Sequence, residues 1–220
     1  MPEPITFPTG RFAFDEQEID IERRTVSGGM SVAGDEDVIE TDGGGRWFAQ
    51  FSNGPLMERE TTLAWRALTT LLGSGATPCI VPFCDLMHQP YGHEHEVPHS
   101  DGSPLGDGAE YEGGGPVASA VASASLRATS LQITLSSAVP LIGGETFSIN
   151  HPTRGWRAYR VTTVDGDTIT FRPPLREAVE AGEAIDFANP RCVMRVDGRP
   201  PQALSIGRYG EASIRFVEVL

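Results

Sequence analysis

Cysteine is scarce and odd in number. Cys79, Cys84 and Cys192 are the only three in 220 residues, and no C-x-x-C pair occurs. This argues against a disulfide framework and for a reduced compartment. Cationic side chains are in the minority, 17 Lys plus Arg against 30 Asp plus Glu, for a formal charge of −13. A sequence-independent grip on nucleic acid needs clustered basic groups that displace counterions, so direct DNA binding is not expected. No apolar run approaches the roughly 20 residues that a membrane helix requires. The opening MPEPITFPTGRF has neither the basic n-region nor the apolar h-region of a secretory signal. A soluble product made in a cytoplasm, without membrane insertion, is therefore expected. What is abundant is punctuation: 25 Gly and 17 Pro interrupt the chain at short intervals, which favours many short strands over long helices.

The length allows one large β domain or two modules of about 100 residues each. Ile19 and Ile21 alternate with Asp20 and Glu22, Gly-rich turns follow, and Arg46-Trp47-Phe48-Ala49-Gln50-Phe51 has the alternation of a half-buried strand. The segment PLMERETTLAWRALTTLLGSG predicts a helix over residues 58–72. Ala64, Ala67, Leu68 and Leu71 form its apolar stripe, expected to pack on a sheet, and Gly73 stands at the C-terminal cap. Cys79 to Phe83 is the next buried strand, with Pro82 marking an edge or a bulge. Residues 88–116 are polar and rich in Gly, Pro, Asp and His, and 117–130 are small and weakly structured in composition, together a module boundary. Beyond them, Leu131, Ile133 and Leu135 alternate with polar neighbours, and Trp156 to Val164 pairs back through an Asp165-Gly166 turn. Ala184 to Phe187 closes a barrel or sandwich expected to have five strands. The terminal EASIRFVEVL places Ala212, Ile214 and Phe216 on one face of a strand that returns to the first sheet.

The pattern resembles the distal tail protein family of long-tailed phages and gene transfer agents. The likeness rests on the Trp47-Phe48 strand, Pro55-Leu56, the helix through Trp65 and Leu68, the segment LIGGETFSI, the hairpin WRAYRVTTVDGDTITFRPPLREAVEAGEAIDF and the closing SIRFVEV strand. It implies a mainly β fold: a tail-tube-like split barrel or sandwich belt with one helix, and an inserted small β-barrel. On this sequence the belt would be residues 1–87 plus 189–220, the polar loop 88–116 and the inserted module 117–188. The implied role is structural and non-enzymatic. The subunit would join itself as a hexameric ring at the virion tail tip, between the tail tube protein and the baseplate hub protein, with DNA passing through without specific binding.

The histidines 88, 93, 95 and 99 invite a sharper reading. His88, His93, His95 and His99, with Asp85 or Asp101, carry the ligand types of a divalent metal site. Their H-x4-H-x-H-x3-H spacing matches no zinc signature, and HExxH is absent, so a solvated polar loop is favoured over a metal-binding hydrolase and no cofactor is expected. At a subunit contact, such histidines would make the interface respond to pH near their ordinary pKa of about 6.5. Cys79, Cys84 and His88 could be a nucleophile and base, but the cysteines flank an apolar strand and suit burial. G-x-S-x-G and a P-loop are both missing. Glu177, Glu180 and Glu183 are read as solvated. Trp156, Arg157 and Tyr159 could stack on a sugar if exposed, which makes a carbohydrate-binding β module on an assembly domain the alternative function, although a core place for Trp156 is the simpler expectation.

Overall fold

The computed structural model describes residues 4–23, 25–40, 43–83, 90, 96–97, 111–112, 116–136, 138–198, 200, 202–204 and 210–220. The protein is mainly β, with one α-helix among the described residues. It divides into two compact units, Met1–Phe83 with Arg191–Leu220, and Cys84–Pro190.

In chain order the first unit begins with β1 (Ile5–Thr6), β2 (Glu16–Glu22), β3 (Thr25–Met30), β4 (Glu36–Glu40), β5 (Arg46–Leu56), α1 (Arg59–Leu72) and β6 (Cys79–Pro82). The second unit contains β7 (Glu96–Val97), β8 (Tyr111–Glu112), β9 (Val117–Ala120), β10 (Ser130–Ser136), β11 (Thr146–His151), β12 (Gly155–Asp165), β13 (Thr168–Arg172) and β14 (Ala184–Asp186). The chain then returns to the first unit with β15 (Arg191–Val196), β16 (Gln202–Leu204) and β17 (Gly210–Glu218).

The first unit is built on a sheet in the order β1-β6-β15-β17-β5-β2, with β16 also paired to β17, and β3 and β4 form a separate antiparallel two-stranded ribbon. All its pairings are antiparallel except β1 on β6. The terminal strand does return to the opening segment: Val217, Phe216 and Arg215 face Phe48, Ala49 and Gln50 on β5. Pro82 and Arg191, on either side of the inserted unit, are themselves cross-strand partners, so the insertion leaves and re-enters at neighbouring points, where an inserted domain costs the host sheet least.

Period-two alternation decides which way this sheet faces. Trp47, Ala49 and Phe51 of β5, with Ala212, Ile214 and Phe216 of β17, are buried on one face. Phe7, Phe12 and Trp65 complete that core, where the Phe7 ring lies 4.8 Å edge-on from Phe216 and Phe12 lies 5.1 Å edge-on from Trp65. A bulge in β5 opposite Ala212 and Ile214 puts Asn53 at φ 58°, a left-handed conformation that Asn tolerates. The adjacent Gly54 is needed for space, because a Cβ there would come within 2.9 Å of the Phe14 ring.

Helix α1 forms where the periodicity places it and ends on Gly73, whose left-handed φ of 54° lets its N–H reach the Thr69 carbonyl. The face it buries differs from the expected stripe: Trp65 and Leu72 are buried, whereas Leu71 is 56% exposed and Leu63 43%. The cause is the size of the indole. Burying Trp65 against Phe12 and Phe14 removes more apolar area than several alanines could, and that rotates the helix. Pro82 is also placed differently. Its strand β6 is flanked by both β1 and β15, and Pro82 lies beyond the two-residue pairing with β1, where a missing N–H leaves no ladder bond unmade.

The second unit is a closed barrel in the order β10-β13-β12-β11-β14-β9, with β9 pairing back to β10. It has six strands where five were expected. The additional pairing strand is supplied by residues read as weakly structured: Ala118 and Ala120 of β9 point inward, small side chains that suit a narrow barrel interior. The core is built from Phe147, Ile149, Tyr159, Val161, Ile169, Phe171 and Phe187, all essentially inaccessible. The β12–β13 hairpin pairs Asp165 with Thr168, so its two-residue turn is Gly166-Asp167, one position later than expected, with Gly166 at φ 57°. In the polar stretch 88–116, Glu96–Val97 pairs with Tyr111–Glu112.

Candidate functional site

Three features of the first unit are suited to contacts. The first is the face of the sheet opposite its core. Edge strand β2 sets Glu16, Glu18, Asp20 and Glu22 on one side of its pleat, next to Arg46, Phe48, Gln50 and Ser52 of β5. Arg46 donates to Glu22 through both Nε (3.2 Å) and Nη2 (3.0 Å). Arg215 of β17 lies 4.8 Å over the Phe48 ring, with Nη2 3.8 Å from Glu22 Oε1 and Nε 3.4 Å from Asp197 Oδ2. Both guanidinium groups are thus engaged by carboxylates, while Glu16, Glu18 and Asp20 remain exposed. The β2 side of the face carries an acidic excess, while across the sheet β15 adds the exposed Arg195, in register with Val217 and Phe48; charge along an edge strand also discourages unplanned pairing.

The second feature is a shallow groove of about 720 Å³ along α1, lined by Pro8, Arg11, Phe12, Leu63, Ala67 and Leu71 among others. It is what remains when Trp65 takes the buried face. The third is the β3–β4 ribbon, in which every residue is exposed although Val26, Met30, Val38 and Ile39 are apolar.

The barrel holds a polar cluster inside. His151 follows Phe147 and Ile149 on the inward positions of β11 and is 1% exposed. Its Nε2 lies 2.8 Å from the Tyr159 hydroxyl, which also accepts the Arg176 N–H at 3.1 Å. With the phenol donating to Nε2, the imidazole proton sits on Nδ1, 4.0 Å from Glu183 Oε1. Burial pushes the His151 pKa down to about 4; the Glu177 carboxylate pulls it up and the Arg157 guanidinium adds to the lowering. Burial works against the Glu177 anion, yet the N–H groups of Arg154 and Thr153 hold its carboxyl below the usual value.

The residues singled out from sequence fall as follows. His88, His93, His95 and His99 lie outside the described residues, as do Asp85, Asp101 and Cys84. Among the described residues no three His, Cys, Asp or Glu side chains gather as a metal site. Tyr159 is fully buried against Phe147 and Phe171, so its ring has no face to offer a sugar. Trp156 sits on an outward position of β12, half-buried, not in the core as expected. Cys79 and Cys192 are buried, and burial pushes the Cys79 thiol up to about 12, far from a reactive thiolate. Glu183 is not simply solvated: Oε2 accepts the Glu180 N–H at 3.0 Å while Oε1 is buried. His151 was missed. Its parity with Phe147 and Ile149 in TFSINH was the available signal.

No protein-family model matches this sequence, and a comparison with curated proteins finds no match.

Proposed function

We propose that the protein is a structural, non-enzymatic subunit of a phage or gene transfer agent tail tip, the distal tail ring that joins the tail tube to the baseplate hub around the DNA channel. The observation that carries this reading is the pairing of β17 with β5, which makes the two ends of the chain one belt-like sheet, interrupted in sequence by a separately folded barrel. The acidic face of that sheet supports it further. A conduit wall bearing Glu16, Glu18 and Asp20 would repel the DNA backbone and let it pass, where a basic wall would hold it. Six copies would each bury something like 800 Å² per neighbour, the area of an ordinary specific interface. The barrel would face away from the bore.

Electron microscopy of the purified protein, alone and mixed with tail-tube protein, tests the reading. A sixfold ring is expected, and a subunit that decorates the tube from outside without encircling the bore would overturn it. A carbohydrate-binding role for the barrel now depends on Trp156, the one member of the suggested sugar platform that is not buried. Glycan binding lost in Trp156→Ala would favour that second reading.

A further inference from the structure

We infer that the β3–β4 hairpin of one copy seats in the α1 groove of a second copy. The inference rests on the ring reading and names its contact. An isolated two-stranded ribbon is marginal in water, and this one has no core of its own: Val26 is 55% exposed, Ile39 63% and Val32 at its turn fully so. Val26 and Ile39 are direct cross-strand partners, so they share one face of the ribbon as a ready apolar knob. An apolar surface of this kind marks a contact site.

The groove is the matching absence. Leu63, Ala67 and Leu71 line it, open to solvent within one copy just as the hairpin is. Charge sets the pairing. At the turn end of the ribbon Asp35, Glu36 and Asp37 stand together with no cation among residues 25–40, while Glu40 at its base already faces Arg23 at 4.0 Å; the groove wall presents Arg11 and Arg59 against the single Glu60. Arg11 lies 3.7 Å from Glu60 in a solvent-exposed pair that a second carboxylate could replace at little cost. A knob and a groove at different places on one chain make a head-to-tail contact, the kind that closes into rings.

Cysteine pairing reads this directly; the chain has no lysine for amine cross-linkers. Ile39→Cys and Leu71→Cys proteins, both also carrying Cys84→Ser, are mixed and oxidised while wild type is sedimented in parallel. The mixed 39–71 adduct is expected in roughly tenfold excess over the like-with-like adducts, the ratio that separates one specific contact from weak ones. Arg59→Glu should reduce its yield, and Glu36→Arg in the hairpin partner should restore it. Statistical amounts of the three adducts, or a dominant 39–39 adduct, would overturn the inference. Statistical adducts beside wild-type rings would reject this contact and leave the ring standing. A specific adduct without rings would keep the contact and reject the sixfold assembly.

Discussion

The two units of the chain differ in how far each satisfies itself. The barrel closes all six strands on one another, so none of them presents a free edge, and it fills its interior with Phe, Ile and Tyr side chains. The sheet unit leaves β2 as an edge, an apolar stripe of α1 in solvent and a hairpin with every side chain exposed. The barrel unit leaves Val117, Leu126 and Ile142 in solvent but no barrel strand unpaired, whereas the sheet unit leaves a strand edge, the α1 stripe and a whole hairpin uncovered.

The largest loss is expected at the barrel core. Phe147→Ala removes a ring in contact with Tyr159, Phe171 and Phe187 and should cost about 3–5 kcal/mol. Urea unfolding followed by hydrogen exchange should show the loss in β9 to β14 with little change in β5 and β17. Equal loss in both units would mean they are one cooperative body.

Next comes pH. The folded His151 pKa of about 4 lies below its ordinary 6.5, so between these values the unfolded chain binds the proton and the folded chain does not. Stability is then full above pH 6.5 and falls as pH drops toward 4, by roughly 3 kcal/mol. His151→Gln should flatten that slope in thermal melts of the barrel. An unchanged slope would mean that His151 titrates normally.

Gly54→Ala sharpens the sheet side. The added methyl meets the Phe14 ring at 2.9 Å, and overpacking of this kind should cost about 1–3 kcal/mol, read as a lowered denaturant midpoint at unchanged m. The smallest effect should come from the hairpin. Val26→Ser with Ile39→Ser should change monomer stability by less than about 0.5 kcal/mol, as exposed positions do, while abolishing assembly seen by light scattering. A large loss of monomer stability would show that the hairpin packs within its own chain.

Much of this fold was legible from alternation: β5, β10, β12 and β13 all show the period of two, and Gly73 marks the helix end. What was not legible has physical causes. The helix face was misjudged because a stripe counts positions, while burial follows area, and Trp65 carries more area than Ala64 and Ala67 together. Strand β9 was hidden because Val-Ala-Ser-Ala has little contrast between its faces. The barrel's inward His151 escaped notice beside four histidines clustered elsewhere, although Tyr159, its partner, was already singled out for the wrong face. The exposed β3–β4 hairpin and the α1 groove could not be seen because exposure of apolar residues depends on what the rest of the chain leaves uncovered.

We propose that the sheet joined from both chain ends is a unit for repetition around a channel. A cryo-electron microscopy map of tail particles containing this chain tests it most directly. Six copies in a closed ring are expected, with the Glu16, Glu18 and Asp20 side of β2 turned to the bore and the barrels outside. A ring whose bore is lined by the barrels, or a chain bound singly on the outside of the tube, would contradict it.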